Sequence, residues 1–184
     1  MQVYQIKITL EGSNPAIWRR VLVSPEETMY DFHYVIQAVM GWEDAQPHQF
    51  IKDGKFYLEK MEGDEEFSDA ASVDYSDLCL GDILIKENDA MQYEYDFNDN
   101  WMHSVVLEKI LPADEKAEYP VCTGGERDCP VEECGGLEGY YELLEIMKEP
   151  SHPEYDEIME CMGDDYDPAY FSVDEANEVL REVF

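Results

Sequence analysis

Tyr93-Glu94-Tyr95-Asp96-Phe97-Asn98-Asp99-Asn100-Trp101-Met102-His103-Ser104-Val105-Val106 is the stretch whose reading decides the fold. Aromatic and β-branched residues on both sides favour strands, and Asn98-Asp99-Asn100 is where the chain can reverse, because short amide and carboxyl side chains tolerate left-handed backbone angles. Two registers are open. A two-residue loop at Asn98-Asp99 sets Asp96 opposite Trp101 and Glu94 opposite His103. A three-residue loop through Asn100 sets Phe97 opposite Trp101 and Tyr95 opposite His103. The two-residue loop is the commoner connection and is the one expected. It gathers Asp96, Asp99, Trp101 and His103 into a polar-aromatic cluster at the tip.

Outward from this hairpin the chain reads as further strands. Val3, Ile6, Ile8 and Leu10 lie in a strand-like run closed by Glu11-Gly12-Ser13-Asn14-Pro15. The next run alternates Ile17, Arg19, Val21 and Val23 against Trp18, Arg20 and Leu22. Its tandem arginines either pair with internal carboxylates or, through Arg20, form a fork for an anionic ligand. Thr28 is the expected cap of a helix over Met29–Met40 that Gly41 stops. Phe32, Val35, Ile36 and Val39 make its buried stripe, leaving His33 and Gln37 to other faces. His48-Gln49-Phe50-Ile51 and Lys55-Phe56-Tyr57-Leu58 flank Asp53-Gly54, the clearest hairpin turn in the chain. Glu59–Asp77 is acidic, poor in aliphatics and expected to be a mobile loop. Leu78–Leu84 reads as a short helix or turn, and the strand after the central turn runs on to Pro112. Helices are expected over Leu137–Lys148, Pro153–Met162 and after the capping sequence Ser172-Val173-Asp174-Glu175, the last burying Ala176, Val179, Leu180 and Val183. About six strands result.

Charge narrows the partners. The chain holds 44 Asp and Glu against 12 Lys and Arg, a net charge of -32 over 184 residues. Such a surface repels phosphate backbones, so direct nucleic-acid binding is not expected. A solvated acidic exterior, docking of a basic partner, and a metal-collecting or DNA-mimicking role all remain open. The 45% hydrophobic content excludes global disorder. No apolar run is long enough for a membrane span, and no basic-then-apolar leader opens the sequence, so the expected compartment is the cytoplasm. Cysteines at 79, 122, 129, 134 and 161 are odd in number, which favours reduced thiols or a metal site over a disulfide framework. Cys122, Cys129 and Cys134 are the candidate metal ligands and zinc the metal, with Cys161, His103 or His152 as a fourth ligand. Their spacing is wider than the paired Cys-x-x-Cys of tight zinc knuckles.

Pro15-Ala16-Ile17-Trp18-Arg19-Arg20, His48-Gln49-Phe50, Tyr95 to His103, Cys129-Pro130-Val131-Glu132-Glu133-Cys134-Gly135-Gly136 and Asp167-Pro168-Ala169-Tyr170-Phe171, in this order, resemble the plasmid pRiA4b ORF-3-like family. The resemblance covers most of the chain. Asn98 stands where the family pattern has glycine, Val131 where it has a second proline, and Glu133 where it has aspartate. The resemblance implies an α+β fold, a curved mostly antiparallel sheet with an N-terminal helix between strands and a C-terminal helical section. It also implies an association with mobile elements; it names no reaction.

The expected organisation is a single domain over 1–184, with the sheet and its helix in 1–112, a Cys/Gly-rich loop in 113–136 and helices in 137–184. The candidate ligand-binding residues are His48, Asp96, Asp99, Trp101, His103 and Arg20. Carboxylates beside imidazoles can hold a divalent ion or move protons near neutral pH, and an indole can wall a pocket. No nucleophile elbow, phosphate-binding glycine loop, His-Glu-x-x-His or dinucleotide fingerprint is present, which weighs against an enzyme. The expected function is therefore a non-enzymatic binding or interaction module for a protein or small molecule, a basic one by charge. The alternative is a metal-dependent hydrolase using Asp96, Asp99 and His103.

Overall fold

A computed structural model describes residues 1–60, 71–114, 116–163 and 166–184. The described strands form one sheet. In chain order they are β1 (Gln2–Leu10), β2 (Trp18–Val23), β3 (His48–Lys52), β4 (Lys55–Leu58), β5 (Ser72–Asp74), β6 (Ala90–Tyr95), β7 (Trp101–Pro112) and β8 (Val121–Glu126). Their spatial order is β5-β4-β3-β6-β7-β1-β2-β8, and every pair is antiparallel except β4 with β5. Helix α1 (Met29–Met40) follows two strands rather than opening the chain; α2 (Leu80–Ile83), α3 (Gly136–Ile146), α4 (Tyr155–Met162) and α5 (Val173–Val183) complete the elements. Among the described residues no helix is long and apolar enough to cross a membrane.

Local chemistry sets most of these boundaries. The Thr28 hydroxyl accepts the Asp31 N–H and starts α1, while Gly41 at φ 88° ends it. Asp53 at φ 51° and Gly54 at φ 74° make the β3–β4 turn. Ser172 accepts the Glu175 N–H to start α5. Alternation along β2 and the residue before it buries Ile17, Arg19, Val21 and Val23 as expected, and the core forms where that face of the sheet meets α1. Buried Arg19 donates to the carbonyls of Val39, Trp18 and Glu126 and stacks on the Phe171 ring, tying α1, β2, β8 and the approach to α5 together.

Several expectations need correction. Eight strands replace six, because β5 and β8 lie in stretches read as loops. The expected loop at 113–136 holds β8, whose signal is masked by Gly124-Gly125. Gly125 is there for close approach, since an added Cβ would sit 2.4 Å from the Phe171 ring, whereas one on Gly124 would make ordinary contact with the Trp18 ring at 3.6 Å. The acidic 59–77 stretch contains β5 at 72–74, and its residues 61–70 lie outside the described set. On α5, Ala176 and Leu180 are buried, but Val179 and Val183 are 41% and 48% exposed, since that helix covers α1 and β8 with a narrow face.

Candidate functional site

The central hairpin adopts neither expected register. Tyr95 pairs with Trp101, Glu94 with Met102 and Tyr93 with His103. Asp96 and Asn100, at φ 57° and 56°, bracket a five-residue connection closed by the Asn100 N–H donating to the Asp96 carbonyl at 2.6 Å. The Asp96 carboxylate accepts the N–H groups of Asn98 and Asp99 and is only 3% exposed. A slip of one residue would turn Glu94 inward in place of the Tyr93 and Tyr95 rings. Keeping two phenol rings buried, at about 25 cal/mol per Å² of apolar area, and leaving Glu94 half-exposed outweighs the general preference for a two-residue loop.

This register separates the residues expected to form a pocket. Trp101 is 1% and His103 0% exposed, packed with Trp42 and Tyr95 in an aromatic box. His103 Nδ1 faces the Tyr93 carbonyl at 3.3 Å, while His103 Nε2 and Trp101 Nε1 lack a hydrogen-bond partner among the described residues. Burial holds the His103 imidazole down at about 4, against weaker backbone contributions from Tyr93 and Trp101. Asp99 turns to the helical side, where its Oδ2 accepts the Gly135 N–H at 3.1 Å. Arg20 lies on the sheet face opposite His103, its guanidinium forked onto Glu108 at 2.7 and 2.9 Å, so the internal carboxylate takes the place of an anionic ligand. Asp96, Asp99 and His103 therefore do not line one opening, and the hydrolase arrangement drawn from them does not form.

Nor do the three thiols converge. Cys122 and Cys129 are buried, and burial pushes both thiols up; the Cys134 Sγ donates to the Gly136 carbonyl. Among the described residues, Cys122, Cys129 and Cys134 form no group of metal-ligand atoms within reach of one ion; the Cys161 side chain lies outside the described set. The cysteine loop instead seats α3 on the hairpin. Gly136, at φ 71°, brings its Cα so close that an added Cβ would stand 2.4 Å from the Asp99 carbonyl oxygen. Gly136→Ala is expected to cost about 1–3 kcal/mol, from left-handed strain plus this clash, read as a lowered midpoint in urea.

What the fold does bring together is His48 with two residues the sequence reading missed, His33 and Asp44. Their ligand atoms lie within 4.8 Å of one another, the His/Cys/Asp/Glu group among the described residues whose ligand atoms come close enough to share one ion. His33 and His48 stack with ring centroids 3.5 Å apart and planes 6° from parallel. A closed circuit of hydrogen bonds orients His33. The Asp44 N–H donates to Gln37 Oε1 at 3.0 Å, so the Gln37 amide N–H faces the Tyr93 hydroxyl at 2.9 Å. Tyr93 then has its own proton for His33 Nδ1 at 2.8 Å, which places the imidazole proton on Nε2, donating to Asp44 Oδ1 at 2.8 Å. His48 Nε2 meets the Tyr75 hydroxyl at 2.8 Å. Burial, then the neighbouring His33, hold His48 down at about 3; burial lowers His33 too, against the pull of Asp44. The missed signal was the i, i+4 pair His33 and Gln37 beside the apolar stripe: α1 lies between the sheet and α5, so its buried arc is wider than that stripe.

A second feature lies on the helical side. Two adjoining cavities of about 940 and 390 Å³ share Glu142, Ile146 and Glu154 and run along α3 and α4. Their floor is the half-buried side chains of Leu137, Tyr141, Leu143, Ile146, Ile158 and Met162. Glu138, Glu142, Glu145, Glu149, Glu154 and Glu157 stand along the rim. The segment from 136 to 162 carries one lysine, Lys148, and it is paired with Glu145 at 2.6 Å.

Fold and site together define a small α+β protein with a mostly antiparallel sheet, an imidazole- and aromatic-lined inner face and an acidic helical side. The chain belongs to the plasmid pRiA4b ORF-3-like protein family, whose model matches residues 2–175. It is 31% identical over 183 residues to the uncharacterized protein y4hQ of Sinorhizobium fredii, covering 98% of this chain and 92% of that protein. Its structure is similar to the crystal structure of MM3350, a protein of unknown function from Methanosarcina mazei Go1. The TM-score is 0.84 at 37% identity, over 95% of this chain and 97% of that one.

Proposed function

We propose that the chain is a non-enzymatic interaction module that takes a basic amphipathic segment of a partner protein into the groove along α3 and α4. The observation that carries this reading is the half-buried apolar floor set beneath a rim of glutamates with a single lysine among them. Apolar side chains left half-open along a groove gain from being covered, and the rim selects what covers them: a lysine- or arginine-rich segment is attracted, a phosphate backbone repelled. Leu143 and Ile146, three residues apart on α3, set apolar side chains side by side on the groove floor, where the apolar face of an amphipathic helix would rest.

A synthetic leucine–lysine amphipathic helix is the probe, followed by fluorescence polarisation on the full chain. Micromolar binding that weakens with added salt is expected. Glu142→Gln with Glu149→Gln should weaken it by about tenfold, at up to ~1 kcal/mol per exposed charge pair, and flatten the salt dependence. Equal binding of a peptide with the same composition in scrambled, non-amphipathic order would reduce the effect to bulk charge and overturn the proposal.

A further inference from the structure

We infer that His33, Asp44 and His48 form a binding site for one divalent transition-metal ion, with zinc the best chemical match. The inference is independent of the helical groove, which none of the three residues lines. Each ligand comes from a different part of the fold: His33 from α1, Asp44 from the connection that follows it, and His48 from the first position of β3. Two imidazoles and a carboxylate supply an N₂O set, and such sets hold zinc with a remaining position open to water.

The surroundings are those of a ligand site. The Tyr93 hydroxyl on His33 Nδ1 is the kind of outer contact that aims an imidazole at a metal, while Tyr75 meets His48 Nε2 in the present, stacked orientation of that ring. Tyr93 is itself braced by Gln37, and Gln37 by the Asp44 backbone. Access is graded: the His33 side chain is 1% exposed and the Asp44 side chain 33%, so an ion arrives from solvent at Asp44. A cation between His33 Nε2 and Asp44 Oδ1 takes the place of the proton they now share. That proton's position on the ring moves to Nδ1, where it is donated to the Tyr93 oxygen; the Tyr93 hydroxyl proton then needs an acceptor, which the Gln37 amide supplies by turning its carbonyl toward Tyr93 as Asp44 shifts onto the ion, so no proton is lost overall. The stacked planes require one adjustment. Lone pairs on parallel rings 3.5 Å apart point along separate planes, so half-buried His48 must turn about its Cβ–Cγ bond to complete the set.

Calorimetric titration of the full chain with zinc, in physiological salt and excess magnesium to occupy weak surface carboxylates, tests this. One site per chain with micromolar or tighter affinity is expected. Asp44→Asn and His48→Gln each should weaken it by at least about tenfold, while Glu118→Gln, on an exposed stretch of the surface, should leave it unchanged. Both ligand variants retain hydrogen-bonding side chains, and thermal melts establish that they fold. Cobalt provides a second readout: an intense visible band of a four-coordinate ion in the parent chain, lost in both variants. Absence of zinc uptake under these conditions, or uptake and cobalt spectra indifferent to both substitutions, overturns the inference.

Discussion

Between pH 7 and pH 4 the parent chain is expected to lose about 3 kcal/mol of stability relative to a His103→Leu variant. The sign follows from where the proton can go. Above the ordinary histidine value near 6.5 the imidazole is neutral folded and unfolded, and it contributes no pH dependence. As the pH falls below that value the unfolded chain takes up a proton, whereas His103, fully buried against Trp42 and Tyr93, resists protonation until about 4. The unfolded state therefore gains about 1.4 kcal/mol per pH unit across that window, and the loss levels off below it. Comparison with the variant is needed because protonating the many carboxylates relieves the self-repulsion of a chain carrying -32, and this acts the other way in both proteins. His33 and His48 also act alike in both and cancel. At neutral pH the leucine variant should match or exceed the parent, since it removes a buried Nε2 that has no partner. Urea midpoints at pH 7, 5.5 and 4 check the prediction. Parallel pH profiles for the two proteins would show that His103 titrates normally and is not sealed.

Trp101→Ala is expected to destabilise the chain by about 3–5 kcal/mol, while Phe97→Ala should cost less than about 1 kcal/mol. The two aromatics flank the same turn and look equivalent along the sequence. In the fold Trp101 is 1% exposed, with its ring 5.8 Å from that of Trp42, while Phe97 is 47% exposed on the loop. Removing the indole leaves a cavity that β-sheet neighbours cannot close; removing the phenyl uncovers little. Chemical denaturation of both variants checks the contrast. Comparable losses from the two substitutions would mean that Phe97 packs against a surface in solution.

Much of the fold was legible because it is set by local chemistry. Alternation gave β1 and β2, Asp53-Gly54 the second hairpin, Thr28 and Gly41 the limits of α1, and Ser172 the start of α5. Where local rules failed, a distant neighbour had overridden them. Gly124-Gly125 looks like loop until Phe171 and Trp18 are placed against it. Val179 looks like core until α5 is seen to cover α1 and β8 along a narrow face. Of the expected site residues, His48 keeps a place in a candidate centre, while Asp96, Asp99 and Arg20 hold the turn, α3 and Glu108 respectively.

By itself, the order of residues determined that this is an acidic α+β protein of the pRiA4b ORF-3-like family, with strands, caps and turns in nearly the right places, because hydrophobic period and cap chemistry act over a few residues. Only the tertiary structure decided the register of the central hairpin and the meeting of His33, Asp44 and His48. Both depend on which side chains escape water when α1 closes onto the sheet. That choice is made between segments far apart in the chain, where neither spacing nor propensity carries the information.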